Sequence, residues 1–161
     1  MKNRFYSSEE GLSSPSTDFF SITDIDGNQI VSRTEYEKNK LTILYFWGTW
    51  CPASNAFNPT LVQLYNAYHK YGMEIIGYCI PKQDSKDSME ETMSYLEKKT
   101  TPWRNAIGSE GNMINIFNEQ LYIPCIIAVN DNKEVIFQSF TEYYGLLTDV
   151  VHKYFESTTD E

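Results

Sequence analysis

The chemistry in this chain centres on one short stretch, ILYFWGTWCPAS, from Ile43 to Ser54. An apolar run breaks at Gly48 and delivers Cys51 to a turn where Pro52 can open a helix. A cysteine at such a point faces unpaired backbone N–H groups and the positive end of a helix dipole. Both favour thiolate over thiol and are expected to lower its pKa from about 8.5 toward the ~3.5 to 7.5 range of activated cysteines. A thiolate is the form that attacks a disulfide. Three residues on, where a dithiol centre would hold its second cysteine, stands Ser54. Its hydroxyl can donate a hydrogen bond to a Cys51 thiolate but cannot form a disulfide with it. Ser54 reads either as a native single-thiol motif or as a Cys→Ser replacement in a dithiol one.

Cys51, Cys79 and Cys125 are the three cysteines. They cannot all pair within one chain, and a domain of this size does not need a disulfide framework. Cys79 and Cys125 read most simply as small core residues. Cys125 is also a candidate resolving thiol, provided that its Cα comes within about 7 Å of that of Cys51. His69 and His152 fall in predicted helices away from the Cys51 turn, and no His/Cys cluster has ligand spacing, so no metal site and no cofactor are expected.

Positioning Cys51 requires a strand before it and a helix after it. Leu41 to Trp47 is apolar without alternation, as a central strand covered on both faces should be. After Cys51, the apolar residues Phe57, Leu61, Leu64, Tyr65 and Tyr68 recur at helical spacing, with Gly72 as the stop and Pro59 as an expected kink. MEIIGYCI is the next strand. DSMEETMSYLEKK is an amphipathic helix with Met89, Met93 and Leu96 on one stripe, capped by Asp87 or Ser88. GNMINIF is a short helix, CIIAV and EVIFQSF are strands joined by a turn at Asn130 to Lys133, and GLLTDVVHKYF, preceded by Glu142 to Tyr144, is a final helix. Upstream, FFSITDIDGNQIVS makes a hairpin about Asp26-Gly27-Asn28, with Gly27 supplying a positive φ. The order implies an α/β fold, with a mixed central sheet carrying helices on both faces and an N-terminal β-hairpin.

With 161 residues, 41% of them hydrophobic, the chain can build one core. The expected organisation is a Ser-rich flexible leader over 1–17, one domain over 18–156 and a polar tail over 157–161. A formal net charge of −9 argues against nucleic acid or an anionic membrane as a partner. No apolar run approaches the roughly 20 residues that span a bilayer.

Taken together, DFFSITDIDGNQI, LTILYFWGTWCPAS, MEIIGYCI, the Ile123-Pro124 pair before a strand, and NDNKEVI resemble the thioredoxin superfamily, in particular its extracytoplasmic TlpA/ResA-like thiol-disulfide oxidoreductases. The resemblance spans roughly residues 18 to 156. It implies a thioredoxin-like fold, Cys51 as nucleophile, and Pro124 as a cis-proline facing it. Trp50, Pro52, Ile123 and Pro124 would line the groove for a protein or small-molecule thiol or disulfide. Three departures stand out. The family motif Cys-x-x-Cys is here Cys-Pro-Ala-Ser. Phe57 stands where ResA-like proteins carry a glutamate, and Tyr45 where thioredoxin carries a buried aspartate.

The expected function is therefore thiol–disulfide exchange through the single thiol of Cys51, with Ser54 beside it. The rival is a redox-inactive binding module that uses the surface of Trp47, Trp50, Pro52 and Pro124. A one-cysteine peroxidase has less support, because the threonine of that signature belongs at Gly48 and Thr49 is one place off.

Overall fold

The computed structural model describes residues 19–82, 88–108, 123–140 and 146–159. The leader over 1–17, the helix expected at GNMINIF, the Asp87 cap and the segment at Glu142 to Tyr144 lie outside these residues.

A five-stranded sheet in the order β5-β4-β3-β6-β7 forms the centre. Its strands are β3 (Leu41–Trp47), β4 (Met73–Cys79), β5 (Arg104–Ile107), β6 (Cys125–Asn130) and β7 (Val135–Phe140). As the non-alternating pattern requires, β3 is central and buried throughout, parallel to β4 and antiparallel to β6. Helix α2 (Pro52–Tyr68) links β3 to β4, and α3 (Ser88–Glu97) links β4 to β5. Both crossovers step the same way along the sheet, so right-handed connection puts both helices on one face.

That face packs Phe57, Leu61 and Leu64 of α2 with Leu96 of α3. Leu147, Val151 and Phe155 of α4 (Leu146–Thr159) join them over Leu41, Ile43, Tyr45 and Trp47 of β3. Helix α4 continues beyond Glu156, where the sequence pattern ended the domain. The opposite face of β3, with Leu44 and Phe46, is covered by Phe20, Ile30 and Tyr36. These come from the hairpin β1 (Ser21–Thr23) and β2 (Gln29–Val31) and from helix α1 (Ser32–Lys38). The period-2 alternation of a strand sorts each residue to one face.

Two turns are organised by side chains. Asp24 Oδ1 accepts from the N–H groups of Asp26 and Asn28, both at 2.9 Å, while Gly27 takes φ 87°. Asn130 Oδ1 accepts from Asn132 and Glu134 in the same manner, and Lys133 carries the positive φ of 64°. Gly72, at φ 106°, ends the single 3-10 turn that follows α2.

Helix α1 and strand β5 fall outside the elements expected from sequence. Strand β5 is held by pairing to β4 and by the Ile25 N–H on the Asn105 carbonyl at 2.9 Å. Helix α1 is tied to β5 through the buried Glu35, which accepts from Arg104 at 2.7 Å and pairs with Lys38 at 3.3 Å. The α3 stripe also differs from expectation. Thr92 and Leu96 are its buried residues, whereas Met89 is 52% exposed. The second half of α3 therefore makes the contact with the core, and its first turn does not.

Candidate functional site

The site lies where β3 hands over to α2, at the carboxyl end of the parallel strands, which is where open α/β sheets place reactive groups. Gly48 to Cys51 forms a tight turn closed by the Cys51 N–H on the Gly48 carbonyl at 3.1 Å. Cys51 is the extended residue at the N-cap of α2, and Pro52 follows in the first turn, where its missing N–H costs no helix bond. The Cys51 side chain makes no capping bond, and the residue is 8% exposed. Cys51 therefore stands at a helix N-terminus and is nearly buried.

The residues after Cys51 hold that turn. Ser54 is fully buried, and its Oγ accepts from the Gly48 N–H at 3.2 Å. A lone pair of that hydroxyl thus holds the backbone three residues before Cys51. The Ser54 carbonyl accepts from the Tyr45 hydroxyl at 3.2 Å, and Asn55 Nδ2 donates to the Thr49 carbonyl at 2.9 Å.

Around the turn is an apolar rim. Trp50, 42% exposed, anchors its indole N–H on the Ile80 carbonyl at 2.9 Å. A Cβ on Gly48 would lie 2.8 Å from Trp50 Nε1 and 3.2 Å from Ile123 Cδ1, so both side chains close onto the bare glycine backbone. The Ile123–Pro124 bond is cis. Pro124 is buried, and Pro52 is exposed beside Cys51. The structure thus brings Trp50 and Ile123 together at the turn.

Beneath the turn, the two positions where the resemblance implies acids are apolar or neutral. Phe57 is core. Tyr45 stacks on Trp47 with ring centroids 5.8 Å apart and donates to Asn58 Oδ1 at 2.6 Å. Further back, Asn105 Oδ1 accepts from the indoles of Trp47 at 3.0 Å and Trp103 at 3.2 Å. Asn105 can sit there because Gly77 leaves room: a Cβ on Gly77 would fall 2.0 Å from the same oxygen. These are neutral hydrogen-bonding groups, so no side chain among them offers a carboxylate to take up a proton.

The other thiols sit on opposite faces of the sheet. Cys79 pairs with Trp47 across the parallel ladder and faces α2. Burial pushes its thiol up to about 12, against a smaller opposing pull from a hydrogen bond with the Thr49 backbone. Cys125 faces the other core, among Phe20, Phe46 and Ile127, and burial holds its thiol well above the usual range. Both are fully buried. His69 stacks on Tyr65 and bonds the Met73 carbonyl, while His152 pairs with the Tyr68 hydroxyl. Neither belongs to the Cys51 turn. Among the described residues no three His, Cys, Asp or Glu side chains group as a metal site would require.

Asn55, Asn58 and Asn105 are polar groups of this neighbourhood that carry no motif in the sequence. Asn55 and Asn58 were accessible in principle, as amides four and seven residues after Cys51 on one helix. Asn105 lies in a short strand that has no pattern of its own.

A family model described as AhpC/TSA matches residues 15–137. The chain is 26% identical over 129 residues to a thioredoxin-like protein of Haemophilus influenzae, covering 78% of this chain and 70% of that protein. It is 28% identical over 116 residues to the thiol-disulfide oxidoreductase ResA of Geobacillus kaustophilus, covering 72% of this chain and 62% of ResA, so the match spans less than two thirds of that relative. The crystal structure of a thioredoxin-like protein from Aeropyrum pernix superposes with a TM-score of 0.65 at 21% identity, covering 91% of this chain and 94% of that one. At that identity the likeness establishes the fold. Among the described residues no helix is long and apolar enough to cross a membrane.

Proposed function

The chain belongs to the AhpC/TSA family, with thiol-disulfide oxidoreductases among its relatives, and on that footing we propose that it exchanges thiols and disulfides through Cys51 alone. The observation that carries this reading is the occupation of the second-thiol position. Ser54 is buried there with its Oγ on the Gly48 N–H, while Cys79 and Cys125 are buried thiols whose thiolate forms are strongly disfavoured.

The Cys51 thiolate attacks one sulfur of a substrate disulfide. A bond forms between Cys51 and that sulfur, the substrate S–S bond breaks, and the departing thiolate takes a proton from water. With no partner thiol in the turn, the mixed disulfide persists until an external thiol attacks it, expels Cys51 as thiolate and carries the substrate half away as a new disulfide. No net oxidant is needed. Tyr45 and Phe57 offer no carboxylate, so neither of those positions gives general acid or base help to the two steps. An extracytoplasmic setting is the compartment that the ResA-like resemblance implies, and protein or small-molecule disulfides are the substrate class.

A second reading rests on the contrast between Cys51, 8% exposed, and the open Trp50 ring at 42%. In it the rim holds a partner chain and the thiol is idle. Reduction of a small disulfide by wild type, Ser54→Cys and Cys51→Ala, with mass spectrometry of the adduct, separates the two. Wild type should turn over slowly and accumulate adduct, Ser54→Cys should turn over faster, and Cys51→Ala should be inert. Equal rates for wild type and Cys51→Ala would leave the binding module standing.

A further inference from the structure

Asn55 is exposed in the first turn of α2, yet its amide reaches back across the nucleophile to donate to the Thr49 carbonyl at 2.9 Å. That contact fixes more than one atom. The cis bond recorded among the described residues is Ile123–Pro124, so the Thr49–Trp50 peptide is trans. Its N–H therefore points opposite to its C=O. With the carbonyl drawn onto α2, the Trp50 N–H is turned away from the helix, one residue before the reactive sulfur. Among the described residues no backbone carbonyl is recorded as accepting that N–H. Beyond the amide, the Trp50 indole is anchored on the Ile80 carbonyl at 2.9 Å, so the peptide is restrained at both ends.

We propose that Asn55 is a positioning residue for disulfide exchange at Cys51: by holding the Thr49 carbonyl, it aims the Trp50 N–H at the substrate sulfur that departs. The inference rests on the exchange reading above. When the Cys51 thiolate forms its new S–S bond, the electron pair of the broken bond goes to the departing sulfur, which is a thiolate until water protonates it. A fixed N–H beside that sulfur stabilises the charge as it develops and needs no reorganisation at the moment of reaction. It also substitutes for an acid in a site whose neighbouring side chains are Tyr45 and Phe57. Sulfurs that leave reluctantly gain most from such a donor, because exchange rates depend on the basicity of the leaving thiol.

The test compares two reactions of the same nucleophile in wild type, Asn55→Ala and the nearly isosteric Asn55→Leu. One is exchange with glutathione disulfide, whose leaving group is a basic aliphatic thiolate. The other is alkylation by iodoacetamide, which expels iodide and needs no donor. Both variants should lose about tenfold in the exchange rate constant, the scale of one hydrogen bond to a charged group. Their alkylation rates should stay within about twofold of wild type on that same reasoning. Exchange with an aromatic disulfide, whose thiol leaves readily, should fall less than exchange with glutathione disulfide. If alkylation and exchange fall together, Asn55 merely holds the loop in shape and the proposal is overturned. Unchanged exchange in both variants overturns it equally. A wild type that alkylates at Cys51 but does not exchange at all would remove the exchange reading itself and the proposal with it.

Discussion

Replacing Ser54 should move stability and activity separately, because its hydroxyl holds a backbone N–H while its position is that of a second thiol. The Gly48 N–H is buried and is satisfied by Ser54 Oγ at 3.2 Å. In Ser54→Ala the acceptor is gone, so the orphaned buried N–H should cost about 1 to 3 kcal/mol. For a chain of this length that corresponds to roughly 2 to 4 °C of melting temperature per kcal/mol. In Ser54→Cys a weak sulfur acceptor stays near the same N–H, so the loss should fall near the lower end of that range, about 1 kcal/mol. The second thiol would now lie three residues from Cys51, and turnover of a small disulfide should rise. The rise should be partial, since Tyr45 and Phe57 still supply no proton shuttle. Thermal melts paired with a disulfide-reduction assay read both effects. Ser54→Ala melting with wild type would refute the role of the hydroxyl, and an unchanged Ser54→Cys rate would refute the claim that a missing second thiol limits turnover.

Further outcomes follow from the neighbouring contacts. Burial alone would raise the Glu35 carboxyl, but its hydrogen bond to Arg104 and the charges of Arg104 and Lys38 bring it below its ordinary value. Its contribution is therefore present above the unfolded-state pKa and lost as pH falls through the folded one, so urea melts should show acid destabilisation that is reduced in Glu35→Gln. At neutral pH, Arg104→Met should cost about 3 kcal/mol, the low end for a broken buried pair, because Lys38 remains beside Glu35. Asn105→Leu removes the acceptor of two buried indoles and should cost roughly 2 to 4 kcal/mol, with altered tryptophan fluorescence. Gly48→Ala should displace the Trp50 indole, whose exposed ring can swing outward. Stability should then fall by only about 1 kcal/mol, one lost hydrogen bond, while disulfide exchange falls with the opened rim.

Much of this architecture is legible in the chain. Leu41 to Trp47 reads as a central strand because both of its faces are apolar, and Asp26-Gly27-Asn28 reads as a turn because its chemistry is local. The cis bond at Ile123-Pro124 came from family resemblance rather than from local pattern. Helix α1 and strand β5 were hidden for a physical reason. SRTEYEK and RNAI are too short and polar for periodicity to show, and they are held by tertiary contacts, chiefly Glu35 with Arg104 and Asn105 with two tryptophans. The partner of Ser54 was likewise out of reach, since only the folded turn brings the Gly48 N–H to its hydroxyl. The face taken by Cys125 could not be read either, because β6 is apolar on both sides.

The most direct test of exchange through Cys51 alone is peptide mapping without reductant after exposure to glutathione disulfide. Trypsin separates the three thiols cleanly, with Cys51 in segment 41–70, Cys79 in 71–82 and Cys125 in 105–133. Glutathione is expected on 41–70, with every remaining cysteine of the other two segments a free thiol, in wild type and in Cys79→Ala and Cys125→Ala alike. A disulfide joining 41–70 to either of the other segments, or an adduct carried by Cys79 or Cys125, would contradict exchange through Cys51 alone.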